Sequence, residues 1–157
     1  MEAIGTGSGD VQEVPTMRWS PARIYLVVSG VFLIVSTAIG FGVDSSFPGS
    51  ADAVRAADHG NIYGLFATNG WHNLSGMISG LVALGFAVRP EWARTGALFK
   101  GFLYVAVTLS VAIWGGETFR IATNAADQVV HASLAVTGLA AGFATRPVEQ
   151  RSRPANP

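Results

Sequence analysis

Two histidines and one aspartate, set in long uncharged stretches, carry most of the chemistry this chain can offer. Asp127 and His131 are four residues apart in Asn124-Ala-Ala-Asp127-Gln-Val-Val-His131. On a helix that spacing puts both on one face. A carboxylate one turn before an imidazole can accept its ring N–H and fix the tautomer. The other ring nitrogen is then free for a ligand or a partner side chain. A second reading is structural. Asp127 is the third residue after Asn124, the spacing of a helix cap followed by an acid in the first turn. His131 likewise reads either as a hydrogen-bonded residue between helices or as a functional group. The stretch Asn69-Gly-Trp-His72-Asn73 repeats the arrangement. Together Asn69, His72, Asn73, Asn124, Asp127 and His131 make a candidate polar cluster.

Two histidines and an aspartate can ligate zinc, iron or copper, and two histidines on different helices can hold a haem. His72, His131 and Asp127 are therefore the metal candidates, although their number and spacing suit an ordinary hydrogen-bond network equally well. No metal is assigned and no cofactor is expected. The chain has no cysteine, which excludes disulfides, thiolate metal sites and cysteine nucleophiles. It has no phosphate-binding glycine loop, serine elbow or HExxH motif. Catalytic residues are not expected, nor is a nucleic-acid partner, since the formal net charge is zero and no basic aromatic stripe occurs.

The elements that must position these residues follow from composition. Half of the 157 residues are hydrophobic and only 13 % are charged, against about a quarter in soluble domains. Mean hydropathy is +0.39. The solvent for most of such a chain is lipid. Four membrane spans are expected, at about 24–43, 69–88, 97–115 and 127–145, within a domain covering 21–147. The run from Ile24 to Val43 is twenty uncharged residues, about 30 Å of helix, which matches the hydrocarbon thickness. Residues 1–20 and 148–157 read as disordered tails, the second of them basic. Asp52 to Asp58 reads as a short surface helix, and the residues from Ile62 up to Asn69 as chain lying in the membrane interface. Lys100 is expected to snorkel from the first turn of the third span. Gly49-Ser-Ala-Asp-Ala offers a faint signal-cleavage pattern, against which the internal repeat argues.

Charge sets the topology. One side carries Arg18, Arg23, Arg89, Arg94, Lys100, Arg146, Arg151 and Arg153. The other carries only Arg55 and Arg120, against Asp44, Asp52, Asp58, Glu117 and Asp127. The positive-inside rule places both termini in the cytoplasm, for a multi-pass protein of a bacterial plasma membrane.

The chain also repeats itself. Ala67-Thr68-Asn69 matches Ala122-Thr123-Asn124, and Gly85-Phe-Ala-Val-Arg-Pro90 matches Gly142-Phe-Ala-Thr-Arg-Pro147. Gly76 and Gly80 form one close-packing seam, and Gly138 and Gly142 another. The expected fold is an all-α integral membrane protein, with four transmembrane helices arranged as two parallel helical-hairpin repeats. Helices two and four are expected to cross through their glycine seams.

These residues resemble a bacterial family of small four-span membrane proteins, the domain of unknown function 4383 family, common in actinobacteria. The likeness covers roughly residues 20–146. It rests on Ala22-Arg-Ile-Tyr25, on Asn69-x-x-His72 with Gly76, and on Asn124-Ala-Ala-Asp127 followed by His131. The resemblance implies a second histidine near the Gly76 position, which this chain lacks. Its absence here weakens a metal site built on paired histidines. The family has no assigned activity, so the resemblance supplies no catalytic or binding roles. The expected function is a non-enzymatic envelope scaffold or accessory subunit, whose partners are the lipid bilayer and either a second copy or another membrane protein. The alternatives are a metal- or haem-binding redox module using His72, His131 and Asp127, and a small oligomeric transporter.

Overall fold

A computed structural model describes residues 19–146. The tails expected at 1–20 and 148–157 lie outside the described residues, apart from Trp19 and Ser20. Five α-helices occur among the described residues: α1 Pro21–Val43, α2 Ala51–Ala56, α3 Gly70–Val88, α4 Pro90–Trp114 and α5 Ala125–Ala144. Two short strands, β1 Gly60–Ile62 and β2 Phe66–Thr68, pair antiparallel between α2 and α3.

The expected architecture of four transmembrane helices in two parallel hairpin repeats needs correction. Only α1, α3 and α4 are long and apolar enough to cross a membrane. The fourth expected span, α5, has the length, at twenty residues. Asp127, Gln128, His131, Ser133 and Thr137 dilute its apolar character. Its polar first turns turn toward protein and cap contacts, and Asp127 is only 4 % exposed. Four long helices still form the bundle, and the three apolar ones make the chain a multi-pass membrane protein.

Local chemistry explains each boundary. Ser20 caps α1 by accepting the Arg23 amide, and Pro21 sits in the first turn, where a missing N–H costs nothing. Pro90 opens α4 in the same way directly after α3 ends, so Arg89 alone joins the two helices. Gly115 ends α4 at φ 78°, a conformation that favours glycine. The β1–β2 hairpin turns through Tyr63 and Gly64, both at positive φ, with the Leu65 amide donating to the Ile62 carbonyl. Tyr63, Gly64 and Leu65 make a three-residue loop between the paired Ile62 and Phe66. A hairpin therefore forms in the segment expected to lie in the membrane interface before Asn69. Its signal was the β-favouring run around Tyr63-Gly64, hidden by an apolar stretch that reads as continuous helix.

Packing divides the bundle into two close pairs. α3 lies mainly on α1 and α5 mainly on α4. A Cβ on Gly80 would sit 2.9 Å from the Gly30 carbonyl oxygen, and one on Gly30 would sit 3.0 Å from that of Gly80. The backbones of α1 and α3 touch there, the kind of approach that drives helix association in lipid. In the second pair, Gly138 lies against Gly101 and the Tyr25 hydroxyl, and Gly142 against Leu98. The glycine seams thus face α1 and α4 rather than each other. Alanines fill much of the remaining core, with Ala22, Ala83, Ala87, Ala93 and Ala97 packed around Leu26. Large apolar side chains such as Val28, Val35, Ile78, Leu81, Phe102 and Ile113 point outward.

Two hydrogen bonds bring one end of the bundle together. The Ala22 amide donates to Thr145 Oγ1, and Arg23 Nε donates to the Ala87 carbonyl at 3.0 Å. The start of α1 and the ends of α3 and α5 therefore meet at an arginine-rich end. The hairpin and the starts of α3 and α5 occupy the opposite end.

Candidate functional site

At the hairpin end, each Ala-Thr-Asn motif starts a helix. Asn69 Oδ1 accepts the His72 amide at 2.9 Å, and Asn124 Oδ1 accepts the Asp127 amide at 3.1 Å. The asparagine amides then reach across to the opposite motif. Asn69 Nδ2 donates to the Arg120 carbonyl at 2.9 Å, and Asn124 Nδ2 donates to the Leu65 carbonyl at 2.7 Å. Each acceptor lies four residues before the other asparagine. The two helix starts are latched to each other's leading loops by a reciprocal pair of bonds.

The third residue after each asparagine sets the two starts apart. Asp127 turns back, and its Oδ2 accepts the Asn124 amide at 2.9 Å, which completes a capping box. The carboxylate stands beside His72 of α3. Among the described residues it makes no bond with His131, whose Nδ1 is buried without a partner. The Asp127 carboxylate caps its own helix start and is not the hydrogen-bond partner of His131. His72 bends back too, its ring lying 2.9 Å by Nδ1 from the Ala67 carbonyl. A carbonyl only accepts, so Nδ1 donates and the neutral ring keeps a bare Nε2.

The structure brings His72 and His131 together, with ring centroids 6.0 Å apart. The Tyr104 ring lies 5.5 Å from His131, and its hydroxyl is 3.1 Å from Ser79 Oγ. Asn73 is 1 % exposed and fully engaged. Its Oδ1 accepts from Thr68 Oγ1 at 2.6 Å, and its Nδ2 donates to the Asp44 carbonyl at 2.9 Å. It fits only because Gly40 has no side chain, since a Cβ there would collide with Asn73 Oδ1. Among the described residues no group of three or more His, Cys, Asp or Glu side chains is placed to hold a metal ion. His72, His131 and Asp127 are neighbours without forming such a set.

These groups border a cavity of about 280 Å³ under the hairpin. Phe32, Leu33, Phe66, Leu103 and Val107 supply its apolar walls, and His72, Asp127, His131 and Tyr104 its polar side. Sequence reasoning missed Tyr104, Ser79 and Phe66, because apolar helices hide which face turns inward. It also misplaced Lys100. Since α4 begins at Pro90, Lys100 lies three turns inside it, 3 % exposed, donating from Nζ to Ser29 Oγ at 2.9 Å. The Tyr25 and Tyr104 rings flank that ammonium, each 5.7 Å away. The proline directly after Arg89 was the available signal for this earlier helix start. Glu117 approaches Arg55, at 3.4 Å.

The family profile described as "Domain of unknown function (DUF4383)" matches residues 23–144. No curated protein and no solved structure matches the chain.

Proposed function

The chain belongs to the DUF4383 family, and from that premise we propose that it is a non-enzymatic accessory or scaffolding subunit of a bacterial plasma membrane. One observation supports the reading: the three asparagines and the aspartate of the hairpin end hold the chain to itself. Asn69, Asn73, Asn124 and Asp127 all direct their side chains to caps, loops and neighbouring strands. A catalytic constellation would leave such groups converging on open space at reaction distance. The arginine-rich end, which bears both ends of the described chain, faces the cytoplasm by the positive-inside rule.

The test is extraction of the protein in native lipid discs, followed by quantitative crosslinking and mass measurement. The accessory reading expects a fixed stoichiometry with a second membrane protein or a second copy. A lone monomer in every disc preparation overturns it. A redox module would instead give visible absorbance or stoichiometric metal in the purified protein.

A further inference from the structure

The cavity under the hairpin has features that the accessory role does not use. We propose that it is a binding site for a neutral, membrane-dissolved ring bearing a hydroxyl group, a phenol-type ligand whose O–H donates to His72 Nε2. The inference stands independently of the accessory role.

Size is the first argument. An apolar cavity of about 150 Å³ takes up a benzene ring. At about 280 Å³ this one has room for a fused or substituted ring. The second argument is hydrogen bonding. His72 Nδ1 is committed to the Ala67 carbonyl, which leaves Nε2 as a lone-pair acceptor. His131 Nδ1 is buried with no partner, and such a group costs stability until something meets it. Asp127, beside His72, is acceptor-only when ionised. His72 Nε2 and the Asp127 carboxylate are thus acceptors on this side, and His131 Nδ1 takes either role by its tautomer, so the cavity favours a ligand that donates and disfavours an anion. The third argument is shape. The His72, His131 and Tyr104 rings stand at 65° and 50° to their neighbours in this series, not stacked. With Phe32 and Phe66 they present ring edges and faces to a planar guest.

Access explains why the ligand is lipid-soluble. Ser75 of α3 and Leu103 of α4 both line the cavity and keep exposed surface. A second cavity of about 250 Å³ adjoins along the same α3–α4 crevice and shares Ser75, Ser79 and Leu103. α3 and α4 are joined only at the arginine-rich end and pack less closely on each other than on their partners. The crevice between them gives a lateral entrance on the flank that faces lipid.

The experiment uses the full chain in lipid nanodiscs with three probes: 1-naphthol, naphthalene and 1-naphthoate. Equilibrium binding is measured against empty discs, which correct for partition into lipid. Saturable 1-naphthol binding is expected, with naphthalene about tenfold weaker or more for want of the hydroxyl and naphthoate weaker still. Nitrogen-15 NMR of the wild-type histidines should show the His72 Nε2 resonance moving with 1-naphthol and not with naphthalene. His72→Ala should lower 1-naphthol affinity about tenfold. Leu103→Trp, at the entrance, should slow or abolish uptake while leaving His72 in place. Naphthalene equal to 1-naphthol would reduce the site to an apolar void and overturn the proposal. So would tighter binding of naphthoate, which would mark an anion site, or no saturable binding above empty discs. An unmoved His72 Nε2 resonance on saturation would overturn it even if His72→Ala fails to fold.

Discussion

Ala67-Thr68-Asn69 and Ala122-Thr123-Asn124 are the same three residues at the start of two helices, and the protein uses them differently. Both asparagines cap their own helix and clamp the loop that leads into the other. Asn69 is wholly buried, whereas Asn124 keeps some exposure. Thr68 is wholly buried and holds Asn73, which in turn ties α3 to the end of α1. At the second start the tie is local, a capping box closed by Asp127. The comparison teaches that a capping motif fixes the backbone of a helix start, while its neighbours decide whether that start is a structural keystone or an ordinary terminus.

The largest expected effect separates the two asparagines. Asn69→Ala empties a wholly buried position and leaves the His72 amide and the Arg120 carbonyl without their partner, and should cost about 2–3 kcal/mol. Asn124→Ala should cost about 1 kcal/mol, the usual loss for a cap with water at hand. Unfolding in mixed micelles measures both, and equal losses would break the comparison. The threonines come next. Thr68→Val removes the bond to Asn73 and should cost about 1–2 kcal/mol. Thr123→Val should change stability by less than about 0.5 kcal/mol. If Thr123→Val proves the more damaging, the second start has a tie that the hydrogen-bond pattern does not contain.

Asp127→Asn tests the third position. Asparagine still accepts a hydrogen bond, so stability should fall by less than about 1 kcal/mol. Nitrogen-15 NMR should show the His72 ring responding, because the carboxylate stands beside it, and His131 nearly unchanged. A response confined to His131 would restore the in-helix aspartate–histidine pair.

The smallest effect concerns Asp44, just past the end of α1. Burial pushes its carboxyl upward, but bonds from Ser46, the Gly60 amide and His59 outweigh this and hold it below its ordinary value. Such a group stabilises the fold fully above the unfolded carboxylate pKa near about 4, and the contribution disappears as pH falls through the lower folded value. Asp44→Asn should therefore lower the melting temperature at about pH 7 and leave it nearly unchanged at about pH 2. A mutant deficit that persists undiminished in acid would assign the effect to lost geometry rather than charge.

What the sequence by itself determined is local or compositional. Long uncharged runs make a membrane protein, because lipid accepts backbone only in self-satisfied helices. The Asn124–Asp127 spacing encodes a cap, because the partners lie within one helical turn and need no tertiary fold to meet. The family resemblance was legible for the same reason, carried by short motifs in the same stretches. The number of strongly apolar spans was legible too, in the Asp127, Gln128, His131, Ser133 and Thr137 that dilute α5, although an uncharged run after Asp127 reads as a fourth span. Tertiary structure alone decided that the glycines of α3 meet α1 and those of α5 meet α4. It alone put Asp127 beside His72 and Lys100 beside Ser29. In helices apolar on nearly every side, periodicity does not mark the inward face. The choice falls to close backbone approach and to the few polar groups that must find partners across the bundle.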